Sequence, residues 1–114
     1  MRPFALLLAA SLFAAAALAQ SASTIEGFVR DPDGRAVGAA RLTVVSMDTG
    51  VERTATADDR GFFRALELAP GLYRVEARAE GFAASVKDGV GLSSGRTAQL
   101  EFDLSIEAAR ESVD

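Results

Sequence analysis

The sequence has no cysteine, no histidine and no tryptophan, one tyrosine (Tyr73) and one lysine (Lys87). Without histidine and cysteine there is no Ser-His-Asp or Cys-His arrangement, no thiol nucleophile and none of the usual nitrogen or sulfur ligands of transition metals. A Ser-Lys pair would have to use Lys87, which precedes Asp88-Gly89 in what reads as a surface turn, a setting unsuited to a general base. No catalytic residue, cofactor or metal site is therefore expected. The missing tryptophan and the single tyrosine leave few rings on which a sugar could stack. The missing cysteines exclude disulfides, so a small domain must be held by packing and main-chain hydrogen bonding alone. They also exclude a lipid anchor on cysteine. Basic charge is scarce too: 12 Lys and Arg stand against 16 Asp and Glu, with no basic cluster. That balance speaks against nucleic acid or an anionic lipid surface as partner.

What is present begins with a leader. Met1-Arg2-Pro3 carries one positive charge, and an apolar run from Phe4 to Leu18 follows, interrupted only by Ser11. It ends Ala17-Leu18-Ala19 before Gln20. A short basic start, a short apolar stretch and an A-x-A end form the pattern of a signal peptide. Cleavage is expected between Ala19 and Gln20, because the peptidase accepts only small side chains at the positions of Ala17 and Ala19. A spanning helix needs ~20 apolar residues, and no basic stop follows the run, so the mature domain is not expected to cross a membrane. Residues 1–19 are read as the signal peptide, 20–105 as one domain and 106–114 as a linker or tail.

Within that domain the apolar period is two. Tyr73, Val75, Ala77 and Ala79 alternate with Arg74, Glu76, Arg78 and Glu80, and Ala98, Leu100, Phe102 and Leu104 alternate with Gln99, Glu101 and Asp103. Ile25, Gly27 and Val29 share a face opposite Glu26, Phe28 and Arg30. A strand with one buried side requires this alternation. Turn signals separate the segments: Asp31-Pro32-Asp33-Gly34, Asp48-Thr49-Gly50, Asp58-Asp59-Arg60-Gly61, Pro70-Gly71, Gly81-Phe82, Asp88-Gly89 and Ser93-Ser94-Gly95. Strands are expected over 24–30, 41–47, 51–57, 62–65, 72–80, 83–87 and 97–105. About seven short strands with short connections predict an all-β, antiparallel Greek-key sandwich. Its expected core is Ile25, Val29, Leu42, Val44, Phe63, Tyr73, Val75, Leu100 and Phe102.

The order of these signals carries a resemblance. Gly27-Phe28-Val29, Asp31-Pro32-Asp33-Gly34, Gly38-Ala39-Ala40, Thr54-Ala55-Thr56, Asp59-Arg60-Gly61-Phe62-Phe63, Leu68-Ala69-Pro70-Gly71-Leu72-Tyr73 and Glu80-Gly81-Phe82 follow one another at characteristic spacings. The pattern resembles the carboxypeptidase regulatory-like domain, a transthyretin-like (prealbumin-like) sandwich, across residues 24–104. One departure is Val37 before Gly38-Ala39, where the family usually has proline. The resemblance implies a non-catalytic accessory domain, either the module found directly after the signal peptide of TonB-dependent (Oar-like) outer-membrane receptors or a stand-alone exported carboxypeptidase regulatory-like protein. It implies a location in the periplasm or on the periplasmic face of the outer membrane, with a receptor plug or barrel as a neighbouring partner. The fold-level likeness to starch-binding modules makes a glycan the alternative ligand.

Two features remain as candidate sites. Asp31-x-Asp33-Gly34 and Asp58-Asp59-x-Gly61 contain fragments of calcium loops but lack the six to eight oxygens that calcium needs, and are read as Asp side chains bonding their own turns. Parity places Phe28 and Phe62 on outward faces, Phe28 between Glu26 and Arg30 and Phe62 between Arg60 and Arg64. A ring with charged neighbours on the same face is how an interface anchor and its polar rim look in a strand. Phe28 and Phe62 are thus the candidate partner contacts.

Overall fold

The computed structural model describes residues 22–107. The expected cleavage site at Ala17, Ala19 and Gln20 lies outside the described residues, as does most of the segment read as a linker or tail. Seven strands run in order: β1 (Ser23–Arg30), β2 (Arg41–Ser46), β3 (Glu52–Thr56), β4 (Phe62–Leu68), β5 (Gly71–Arg78), β6 (Ser85–Leu92) and β7 (Thr97–Asp103). They form a three-stranded sheet, β4-β1-β7, and a four-stranded sheet, β3-β2-β5-β6. The fold is the expected seven-strand sandwich. Pairing is antiparallel throughout except between β1 and β7, which run parallel from Thr24↔Thr97 to Arg30↔Asp103. The first and last strands thus close the small sheet side by side, which no turn signal could announce, since a parallel pair has no hairpin.

Inward positions of both sheets form one core. Ile25 and Val29 of β1, Leu42 and Val44 of β2, Val75 and Ala77 of β5 and Phe63 of β4 are fully or almost fully buried. Phe102 of β7 packs its ring 6.0 Å from that of Phe63. Eight of the nine expected core residues are buried, and Leu100 is half-buried against the cluster. Gly27 lets β7 pack tightly against β1: a Cβ there would lie 1.9 Å from the Leu100 carbonyl oxygen.

Two strands run further than their alternation suggests, and for the same reason. In β4 the buried residues are Phe63, Ala65 and then Leu68, a step of three. The extra residue is a bulge opposite β1, with Glu67 in the left-handed region at φ 58°. Arg53 donates to the carbonyls of Leu66 and Glu67 at 3.2 and 3.5 Å. In β6 the step falls at Asp88-Gly89, where Gly89 has φ 68° and Arg74 of β5 lacks a single partner. The expected turn at Asp88-Gly89 is therefore a bulge within a strand, and the expected strand ends at Ala65 and Lys87 move to Leu68 and Leu92. Each bulge shifts the parity by one, which is what aims Leu68, Val90 and Leu92 at the core.

Lys87 is likewise not in a surface turn. It lies half-buried in β6 with its ammonium 5.5 Å from the centroid of the Phe102 ring, at the seam between the two sheets. The ammonium over the ring makes a cation–π contact. At one end of the sandwich the chain after β7 folds over the β5–β6 loop: the Ala83 amide donates to Ser105 (2.8 Å) and that of Glu107 to Gly81 (3.1 Å), with a bridge between Phe82 and Ile106.

Candidate functional site: the outer face of the small sheet

The solvent side of β4-β1-β7 carries the aromatic residues singled out in the sequence. Alternation sends Glu26, Phe28 and Arg30 outward from β1, Phe62 and Arg64 from β4, and Gln99 and Glu101 from β7. Antiparallel register sets Phe28 directly opposite Phe62 and Glu26 opposite Arg64. The two rings touch, centroids 5.3 Å apart and tilted by 58°, the geometry that aromatic quadrupoles favour. Phe28 is 37 % exposed and Phe62 half-buried.

Charged side chains frame the rings. The Arg30 guanidinium lies over Phe28 at 5.2 Å and that of Arg64 over Phe62 at 5.4 Å. Each arginine also meets a carboxylate from a neighbouring strand: Arg64 bonds Glu26 at 3.1 Å and Arg30 bonds Glu101. The Gln99 amide donates to the second oxygen of Glu26 at 3.3 Å. Such exposed pairs contribute little to stability, ~0–1 kcal/mol each. What they do here is hold both guanidinia over the rings. A shallow trough of about 350 Å³, bordered by Glu26, Phe28, Arg30, Phe62, Gln99 and Glu101, runs beside the aromatic pair.

The two aspartate motifs prove to be one device used twice. The Asp31 carboxylate accepts the amides of Asp33 and Arg35, both at 2.9 Å. That of Asp58 accepts the amides of Arg60 (2.9 Å) and Phe62 (3.0 Å). In each loop the glycine three residues on, Gly34 or Gly61, has positive φ and donates to the aspartate carbonyl at 2.9 Å. Among the described residues no group of three or more acidic side chains is placed to hold a metal ion. The amide bonds from Phe62 and Arg60 hold the Asp58 carboxyl below its ordinary pKa, with the Arg60 charge adding to them. A lowered folded-state pKa means stability that is present above the ordinary value of 3.8 and lost as pH falls through the folded-state pKa. Thermal midpoints of the wild type should therefore exceed those of Asp58→Asn at neutral pH, with the gap closing in acid. A gap that does not change with pH would mean that the charge is not what binds the turn.

Tyr73, the only tyrosine, is not part of any exposed platform. Its ring is 5 % exposed, and its hydroxyl donates to the Ala69 carbonyl at 2.6 Å. The contact between Phe28 and Phe62 was not legible in the sequence, because each ring was placed outward by its own strand's parity and only the register between β1 and β4 joins them.

A family model for the carboxypeptidase regulatory-like domain matches residues 24–105. The chain belongs to this family. Solved structures agree on the architecture. The TIE protein of Bacillus anthracis is 21% identical with a TM-score of 0.64, over 75% of this chain and 17% of its own. A Bacteroides uniformis protein proposed to bind carbohydrate is 18% identical with a TM-score of 0.59, over 72% of this chain and 40% of its own. The hydroxyquinol 1,2-dioxygenase of Pseudomonas putida is 13% identical with a TM-score of 0.57, over 75% of this chain and 57% of its own. The chain thus spans less than two thirds of each of these proteins, and at such identities the likeness is one of fold.

Proposed function

We propose that this carboxypeptidase regulatory-like domain is a non-catalytic accessory module of the bacterial envelope, exported behind residues 1–19 and acting through protein contact. Its place is the periplasm or the periplasmic face of the outer membrane, ahead of the plug and barrel of a TonB-dependent receptor or as a free-standing member of the family. The observation that carries this reading is the tilted, partly exposed Phe28–Phe62 pair within a ring of fixed charges. The fold also occurs in a dioxygenase, so the sandwich alone does not decide against catalysis. The residue inventory supports the non-catalytic reading: histidine and cysteine are absent, and the Lys87 ammonium lies over the Phe102 ring.

Phe28→Ser and Phe62→Ser should leave the thermal midpoint within a few degrees of wild type while abolishing binding to the plug, measured by titration calorimetry with the plug domain. Unfolding by either change would show the pair to be core. Unaltered binding would place the contact elsewhere. Carbohydrate binding is the second reading, favoured by the likeness to the Bacteroides protein. It predicts glycan-array signals that disappear with Phe28→Ser.

A further inference from the structure

We infer that the outer face of the small sheet is built to meet a second copy of this chain, through a two-fold axis running along the strands between β1 and β4. The inference rests on the reading of that face as a contact surface and names its occupant. A two-fold interface must be self-complementary: whatever stands at one position has to fit what stands at its mirror position across the axis. The register makes β1 and β4 such a pair. Phe28 stands opposite Phe62 and Glu26 opposite Arg64. Rotation about an axis between the two strands therefore lays Phe28 on the partner's Phe62 and Glu26 on the partner's Arg64, each contact occurring twice. With the Arg30 and Arg64 guanidinia moved off the ring faces they cover in the single chain, four rings would form one apolar centre and four alternating charges one rim, the layout of a hydrophobic core with a polar border.

Within one chain Glu26 holds Arg64 at 3.1 Å, which sets the two charges side by side as half of a four-membered network. The next row brings Arg30 towards the partner's Arg60, but both are neutralised in their own chain, Arg30 by Glu101 and Arg60 by Asp58 at 3.9 Å. Strands in the two copies would run in the same direction, and the twist of each sheet sets them about 30° apart, the usual angle for aligned sheets packed face to face.

The test uses charge reversal, read by sedimentation equilibrium on the chain as recovered from its producing cells. Wild type should show twice the chain mass with rising concentration, less so in high salt. Glu26→Arg leaves four positive charges around the rings and Arg64→Glu leaves four negative ones, so each variant alone should remain monomeric. Mixed one to one they should form a heterodimer, because every cross-axis pair is then Arg with Glu. The same reversal on the other sheet, Glu76→Arg mixed with Arg74→Glu, should give no heterodimer. Thermal midpoints of all variants should stay close to wild type. A wild type that is monomeric at every concentration, or single variants that still dimerise, would overturn the inference. So would a mixture that shows no heterodimer. A second copy and the plug would compete for the same rings, so the plug titration on Phe28→Ser is run at concentrations where the chain is monomeric, and there it decides separately whether the face is a contact surface at all.

Discussion

Gly27→Ala is expected to remove most of the stability of the domain, and Gly27→Val to prevent its folding. A Cβ at position 27 would stand 1.9 Å from the Leu100 carbonyl oxygen and 2.7 Å from its carbon. Both are main-chain atoms in the middle of a ladder, so no side chain can swing aside. Relief requires β1 and β7 to part, and that opens the wall of the core that Phe102 and Val29 fill. A loss of about 4 kcal/mol or more places the substitution in the far tail of single changes and is comparable with the entire stability of a small domain, ~5–15 kcal/mol. Gly34 supplies the control. It has φ 83° and open space around it, so alanine there meets only the left-handed backbone penalty, ~1–2 kcal/mol. Denaturant titrations of both variants decide the matter: equal losses would mean that the spacing of β1 and β7 tolerates a methyl group.

Gly27 also shows where the sequence was sufficient and where it was not. That a glycine on a buried parity lets another backbone approach follows from its lack of a side chain. That the backbone is Leu100 of a parallel neighbour does not, because strand order is fixed by contacts between residues 73 positions apart. Alternation located β1, β5 and β7, as a local consequence of burying one face, and turn signals bounded the other four strands. It failed at Leu66-Glu67 and Asp88-Gly89, where a bulge adds one residue and reverses the parity, so that a continuing strand looks like a turn. Misreading the second bulge as a turn also misplaced Lys87, whose inward position depends on β6 continuing through it. The candidate site was half legible. Parity put Phe28 and Phe62 outside, and the charges two residues away were visible. Their joining into one face required the register of β1 against β4 and the arrival of Gln99 and Glu101 on β7, neither of which leaves a local mark.

Tyr73→Ala is expected to cost ~3–5 kcal/mol, the usual range for truncating an aromatic side chain in a core, and Tyr73→Phe only about 0.5–1.5 kcal/mol, the net value of one hydrogen bond. The two changes separate the two functions of this side chain. The ring lies inward on β5, between Ser46 of β2 and Val90 of β6 in the sheet, and adds to the floor of an apolar groove of about 330 Å³ with Val51, Leu68, Ala69 and Pro70. The hydroxyl reaches the Ala69 carbonyl four residues upstream and so ties the Pro70-Gly71 connection to the strand it introduces. Alanine removes both and opens the groove into the core, letting water reach Leu68, which is 3 % exposed. Phenylalanine keeps the packing and frees one carbonyl near the surface, where water can satisfy it. Guanidinium unfolding of the three proteins should therefore give midpoints in the order wild type, Tyr73→Phe, Tyr73→Ala, with the larger gap between the last two. A Tyr73→Phe loss as large as that of alanine would mean that the loop tie, and not the ring, holds this end of the sandwich together.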